Sequence, residues 1–153
     1  MTKRLAAELE GIRVEVPSNI PVMLIREIDD SRRVIPIYIG EAEASSISVA
    51  LSGVVPDRPL THDLMLNTIS EMGGEVVMVV VTDVKEHTYF ANIHIEVDGA
   101  EKVISARPSD AIALAVRAEV PVFVESDLMD KVGKVAVTAE ESDEEEILDD
   151  FRE

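Results

Sequence analysis

The segment from Val103 to Arg117 is Val-Ile-Ser-Ala-Arg-Pro-Ser-Asp-Ala-Ile-Ala-Leu-Ala-Val-Arg, a short apolar strand directly before an apolar helix. Pro108 fits the first helical position, because it lacks an N–H and its φ is already near the helical value. It also biases Arg107 towards extended geometry, so Arg107 is the expected N-cap. Ser109 and Asp110 follow at the same junction, and we expect chemistry where these polar side chains meet.

Arginine is a poor cap, since its side chain offers only donors and the first helical turn needs an acceptor. The free N–H groups could therefore face an external anion. Asp110 could instead accept a bond from the N–H of Arg107, which is half of a capping box. The structural alternative is a capped, buried helix in which Arg107 forms a local salt bridge.

The composition predicts a single soluble domain. A chain of 153 residues is long enough for one core. It has no cysteine, which excludes disulfides and thiolate metal sites. The lack of cysteine also favours a location in the reducing cytoplasm. No secretory signal is visible at the N-terminus, and the longest apolar run, Val76 to Val81, is far too short to span a bilayer. We therefore expect a cytoplasmic protein with no membrane contact.

The net charge of -17 is concentrated at one end of the chain. Residues 140–153 carry nine acids and one base, so they account for -8 and leave -9 for residues 1–139. Blocks of like charge usually solvate, which predicts a disordered acidic tail at 140–153 that could bind a basic partner. A body at -9 is a poor nonspecific binder of nucleic acid. If the domain binds phosphodiesters, it must do so through a local basic pocket or through bound metal ions.

Alternating apolar residues and turn signals predict an α+β fold, a single compact domain over residues 1–139. It has two three-stranded, mainly antiparallel meanders and three main helices. The predicted strands are residues 11–17, 22–27, 33–39, 75–85, 88–97, 102–106 and 121–124, and the predicted helices are residues 41–51, a segment capped by Thr61, and residues 108–118. His94 is interpreted as a solvated sheet residue and His87 as a turn residue.

A second polar junction lies at residues 58–64, Arg-Pro-Leu-Thr-His-Asp-Leu. Arg58 and His62 could hold a phosphate, or Asp63 could hold a divalent cation. The structural alternative is ordinary helix-start chemistry, in which Thr61 caps the helix, Asp63 favours the positive end of its dipole and His62 is exposed.

Glu43 shares the apolar face of the first predicted helix. It could be a metal ligand or a general base, because Mg²⁺ prefers oxygen ligands. It also suits a capping position after Gly40, and a buried salt bridge to Arg58 or Arg107 is a further alternative. The same helix is rich in small residues that would allow close packing of a homo-oligomer such as a dimer: Ala42, Ala44, Ser45, Ser46 and Ser48.

Three segments together resemble the signature blocks of the bifunctional nuclease (DNase/RNase) domain family. They are Pro-Ile-Tyr-Ile-Gly-Glu-Ala-Glu-Ala at 36–44, the junction at 58–64, and Ser-Ala-Arg-Pro-Ser-Asp-Ala-Ile-Ala-Leu-Ala at 105–115. The resemblance runs from about Ile12 to Val124. It implies a compact α+β domain with a plant relative credited with cutting both DNA and RNA, and its motifs supply the candidate residues Glu43, Arg58, His62, Asp63, Arg107, Ser109 and Asp110.

We assign roles to these residues as a hypothesis. Glu43 and either Asp63 or Asp110 would hold Mg²⁺ or Mn²⁺, which activates water on a DNA or RNA phosphodiester. Arg107 and Arg58, with Ser109, would bind the phosphate, and His62 could transfer a proton. The hypothesis requires Arg107 and Asp110 to lie near Glu43 and His62.

The alternative is a non-catalytic binding or regulatory module. Its polar helix starts would then be structural or would bind a small anion.

Overall fold

The structure is a computed structural model that describes residues 3–29 and 31–135. The described strands are β1 (Arg4–Glu15), β2 (Ile20–Glu27), β3 (Arg33–Tyr38), β4 (Gly74–Lys85), β5 (Thr88–Val97), β6 (Ala100–Ala106), β7 (Val122–Glu125) and β8 (Lys134–Val135). The described helices are α1 (Glu41–Leu51), α2 (Thr61–Glu71), α3 (Pro108–Ala118) and α4 (Ser126–Val132). The acidic tail predicted at residues 140–153 lies outside the described residues.

One mixed sheet holds all the described strands, in the order β6-β5-β4-β7-β1-β2-β3-β8. β1 to β3 form one antiparallel meander and β4 to β6 form the other, as predicted. β7 joins the two, because Phe123 lies opposite Ala6 of β1 in an antiparallel pair and opposite Val80 of β4 in a parallel pair. The α+β fold with a mainly antiparallel sheet is therefore confirmed.

The first strand begins well before the predicted residue 11. A bulge between Leu9 and Gly11 shifts its register, so that Leu9 pairs with Ile25 while Ile12 pairs with Met23. Leu9 and Ile12 therefore share a face of the sheet although an odd number of positions separates them. The alternation breaks at this bulge, which explains why the sequence pattern revealed only the second half of the strand.

The helices pack their apolar residues onto one face of this sheet. Ile112 and Leu114 of α3 are fully buried, and Ile47 of α1 and Met129 of α4 belong to the same core. α3 is thus deeply buried. Because α3 contacts both α1 and α2, the starts of these helices are fixed relative to one another.

The interpretation of His94 as solvated is wrong. Only 3% of this residue is exposed, and on β5 it lies between Met78 of β4 and Val103 of β6. Its Nδ1 is hydrogen-bonded to Glu101, and its buried Nε2 has no partner among the described residues. His87 is a turn residue as predicted, with a φ of 68° in the β4–β5 hairpin.

None of the helices in the described ranges combines the length and apolar character needed to cross a bilayer. The homo-oligomer stays a prediction. In the small-residue helix α1, Ala44 is buried within the chain itself, whereas Ala42, Ser45 and Ser48 are exposed.

Candidate functional site

The starts of α1, α2 and α3 converge on one polar cluster. Nη1 of Arg107 lies 2.9 Å from Oε1 of Glu43, and Oδ1 of Asp110 lies 2.9 Å from Nε2 of His62. The proximity required by the sequence hypothesis is therefore present. We call the groove beside this cluster the His62 groove. It has a volume of about 660 Å³ and is lined by Ala42, Glu43, Ser45, Ser46, Val49, Pro59, Leu60, Thr61, His62, Arg107 and Asp110.

Arg107 is the N-cap of α3, and its extended backbone precedes Pro108 at the first helical position, as predicted. Its guanidinium bonds both oxygens of Asp110, at 2.8 and 3.2 Å, and one oxygen of Glu43. The hydrogen bonds that Arg107 donates to Asp110 and then to Glu43 raise the pKa of its guanidinium. Since 64% of the side chain is exposed, this permanent cation is open to a ligand from solvent.

The alternative in which Asp110 accepts a bond from the backbone N–H of Arg107 is wrong. The carboxylate instead accepts from the guanidinium of Arg107 and meets Nε2 of His62. Partial burial by itself would raise the pKa of Asp110. The hydrogen bonds from Arg107 and His62 outweigh burial and hold this pKa below its ordinary value. Asp110 is therefore ionised near neutral pH and acts only as an acceptor.

His62 is buried rather than exposed, with 8% of the residue accessible. Its Nε2 faces Asp110, and its Nδ1 lies 2.6 Å from Oγ of Ser46. An ionised Asp110 needs a donor, so in its neutral form the ring carries its hydrogen on Nε2 and leaves Nδ1 as an acceptor. His62 is thus held in one tautomer between a carboxylate and a hydroxyl group.

Asp63 lies at the other end of the same hydrogen-bond network and does not line the His62 groove. Its Oδ1 accepts from Nε of Arg117 at 2.8 Å, and its Oδ2 accepts from the N–H of Leu60. Burial tends to raise the pKa of Asp63, but the bonds from Leu60 and Arg117 lower it overall. The predicted cap is shifted by one residue, because Leu60 is the N-cap, Thr61 begins α2, and Asp63 supplies the acceptor.

Arg58 and Ser109 lie outside the lining of the His62 groove. Arg58 is exposed, and no hydrogen bond or ion pair links it to another residue in the described ranges. Ser109 is 5% exposed and lines a second groove of about 660 Å³, which also contacts Arg107, Tyr38, His87, Tyr89 and Lys131. Arg107 therefore lies between two grooves, whereas Arg58 belongs to neither.

The hypothetical metal ligands do not fit a preformed magnesium or manganese site. Within residues 3–29 and 31–135, no three His, Asp or Glu side chains are grouped as a metal would require. Glu43 and Asp110 both bond the guanidinium of Arg107, and Asp63 bonds that of Arg117. Two arginine cations, Arg107 and Arg117, therefore already pair with the carboxylates that a metal ion would need.

Two members of the cluster, Ser46 and Arg117, were not predicted as site residues. Nη2 of Arg117 donates to the carbonyl oxygen of Ser46 at 3.0 Å and to its Oγ at 3.1 Å. Helical spacing is the signal that could have found them. Ser46 follows Glu43 by three positions and Arg117 follows Asp110 by seven, so each lies on the same helix face as its predicted neighbour.

The sequence of this chain is similar to the sequences of known proteins. A family model described as the bifunctional nuclease domain matches residues 23–136. An uncharacterized protein of Mycobacterium tuberculosis is 42% identical over 135 residues, which cover 88% of this chain and 79% of the relative.

Two plant proteins are also similar. Bifunctional nuclease 1 of Arabidopsis thaliana is 31% identical over 133 residues, 80% of this chain and 41% of the relative. Bifunctional nuclease 2 of Oryza sativa subsp. japonica is 29% identical over 122 residues, 78% of this chain and 38% of the relative. The matched region thus spans less than half of each plant protein.

Proposed function

Since the chain belongs to the bifunctional nuclease domain family, we propose that it hydrolyses phosphodiester bonds of DNA or RNA in the His62 groove. The observation that carries this proposal is the pairing of an exposed arginine with an oriented histidine. Asp110 is hydrogen-bonded to both Arg107 and His62. A phosphate bound by Arg107 would therefore lie beside His62. The cluster combines an anion-binding group with a proton-transfer group.

Arg107 would bind the phosphate. Three of its N–H groups are used by Asp110 and Glu43, and both Nη1 and Nη2 keep a second N–H for a ligand. A guanidinium offers a planar fork that suits phosphate oxygens. The two carboxylates also fix its orientation, so less side-chain entropy is lost when the substrate binds. A local cation of this kind is what an otherwise acidic body needs to bind a polyanion.

His62 would move the proton. Its neutral ring accepts at Nδ1, and the ionised Asp110 stabilises the imidazolium that forms. Hydrolysis of labelled single-stranded and duplex DNA and RNA by the purified chain tests the proposal. Arg107→Ala and Asp110→Ala should each lose the activity, while Arg13→Ala, which changes an exposed arginine on β1, should keep it. Activity that survives both site substitutions would come from a contaminating nuclease.

Divalent-metal assistance is a separate part of the proposal, because the ion pairs of Arg107 do not favour it. Assays with Mg²⁺, with Mn²⁺ and with EDTA decide the question. If a metal ion assists, chelation abolishes hydrolysis and either metal restores it. If the residues act without one, the rate in EDTA equals the rate in Mg²⁺.

The mutual pairing of charges favours one other function, a non-catalytic module that binds a small anion. Thermal melts separate the two. Because Arg107 is 64% exposed, its ion pairs contribute little stability, and we expect Arg107→Ala to melt within a few degrees of the wild type. A large loss of stability in both Arg107→Ala and Glu43→Ala would favour the structural alternative.

A further inference from the structure

Ser46 is placed where its hydroxyl group can pass a proton to His62. Both ring nitrogens of His62 are taken, Nε2 by Asp110 and Nδ1 by Oγ of Ser46 at 2.6 Å. A water molecule therefore cannot reach the accepting nitrogen without displacing the serine. Ser46 is half-buried, and it lines the His62 groove together with Arg107.

The direction of the hydrogen bond follows from its neighbours. Asp110 accepts from Nε2–H, so the neutral ring accepts the hydroxyl hydrogen of Ser46 at Nδ1. Nη2 of Arg117 donates to the same Oγ at 3.1 Å. A cationic donor on this oxygen favours its alkoxide form. A hydroxyl, a base that takes its proton and a carboxylate that orients the base together make an activated nucleophile.

We propose that Ser46 is the nucleophile of the phosphodiesterase reaction, an inference that rests on the proposed function. Oγ of Ser46 attacks a phosphodiester held by Arg107, and its proton passes to Nδ1 of His62. The Oγ–P bond forms, the bond from phosphorus to the leaving oxygen breaks, and His62 gives its proton to that oxygen. Water then attacks the phosphoserine, His62 takes its proton, and the proton returns to Oγ as the serine is released.

Arg117 is a positioning residue in this scheme. It is 7% exposed and cannot meet a substrate, but its bonds to Asp63 and to both oxygens of Ser46 fix the serine relative to α2. The pairing of Asp63 with Arg117 thereby acquires a function, because it holds the donor that polarises the hydroxyl group.

The first experiment measures hydrolysis of bis(4-nitrophenyl) phosphate by the full chain. Ser46→Ala should lose at least about 10³-fold in kcat, the order of loss when a nucleophile of this kind is removed. Ser48→Ala, which changes an exposed serine on the same helix, is the matched control and should keep the wild-type rate. Full activity in a folded Ser46→Ala variant overturns the nucleophile and leaves the proposed function standing.

The second experiment needs no substitution at Ser46 and no phosphodiesterase activity. A fluorophosphonate ester should modify the wild-type chain, with the Oγ–P bond formed, fluoride released and the proton taken by His62. Peptide mass spectrometry should place the adduct on Ser46, and His62→Gln should slow the labelling strongly.

The labelling also distinguishes the proposal that Ser46 is a nucleophile from the proposal that the chain hydrolyses phosphodiesters. A wild-type chain that cleaves phosphodiesters without labelling at Ser46 overturns the nucleophile alone. A chain that is labelled at Ser46 and cleaves no phosphodiester overturns the proposed substrate and supports the nucleophile.

Discussion

Arg107 shows how a single side chain can take part in both structure and binding. It bridges α1 and α3 through Glu43 and Asp110, yet most of its side chain remains in contact with solvent. The ion pairs determine where the guanidinium lies, while exposure leaves its remaining donors available. Orientation by two carboxylates should matter more to binding a phosphate than to the stability of the fold.

The first prediction concerns the geometry of this cation. Arg107→Lys keeps the charge but removes the planar fork, so it should bind a phosphate less well and cannot bridge Glu43 and Asp110 in the same way. We expect kcat/KM on oligonucleotides to fall by about 10-fold or more, the scale of a lost charge-assisted hydrogen bond. Steady-state kinetics of the lysine variant beside Arg13→Lys measures this. Equal kcat/KM in the two variants would show that charge alone suffices.

The second prediction is the pH dependence of stability. The pKa values of Asp110 and Asp63 lie below the ordinary 3.8 in the folded chain. The unfolded chain therefore binds these protons at higher pH than the folded chain does. The stabilising contribution is complete above the unfolded pKa and is lost as the pH falls through the folded pKa. Urea midpoints between pH 5.5 and 3 should fall less steeply for Asp110→Asn than for the wild type, and parallel profiles would contradict the assignment.

At the scale of the elements, the beginning of α1 is built to receive the carboxylate of Glu43. A Cβ at Gly40 would collide with Oε2 of Glu43, so the side chain lies directly over the glycine. The backbone of Gly40 has φ -75° and ψ 160°, which any residue adopts. The absence of a side chain at this position, rather than backbone freedom, is what places Glu43 beside Arg107.

This geometry makes Gly40→Ala a selective test of the site. The added methyl group should push the carboxylate of Glu43 away from Arg107 and lower kcat/KM several-fold, while the melting temperature stays near the wild-type value. Gly11→Ala is the matched control, because a Cβ at Gly11 meets nothing within 4 Å. A variant with normal kinetics would show that the contact between Glu43 and Arg107 is not needed for activity.

The elements also show how far the sequence could predict the site. Pro108 and the apolar residues after it gave the correct bounds for α3, and three polar helix starts gave Glu43, His62, Arg107 and Asp110 as a group. Ser46 was interpreted only as a small packing residue, because its role depends on a contact with α2 that no local pattern reveals. Arg58 follows the same local logic as Arg107 but is directed into solvent, where nothing in the described chain holds it.

For the molecule as a whole, β7 converts two local meanders into one sheet. Each meander follows from nearby turns, such as the hairpin at Asp98 and Gly99, and is therefore visible in the sequence. The strand pairing that joins the two meanders is not local, since β7 follows α3 and pairs with β1, which is far from it in sequence. The sequence pattern predicts the separate meanders but not the order of their strands in the sheet. Because α3 leads directly into β7, this order also fixes the site-bearing helix against both meanders.

The net charge of the whole chain gives the last prediction. Residues 140–153 contribute -8 of the total -17, and removing them leaves a body at -9. Less repulsion of a polyanion should tighten oligonucleotide binding at low ionic strength by a few-fold, and the gain should shrink towards 0.5 M salt as screening increases. Fluorescence anisotropy of a labelled oligonucleotide with the chain ending at residue 139 measures this. A full-length chain whose tail acids are replaced by glutamine and asparagine is the control, because it removes the charge and keeps the length. If it binds like the wild type while the shortened chain binds more tightly, the tail acts through its bulk rather than its charge.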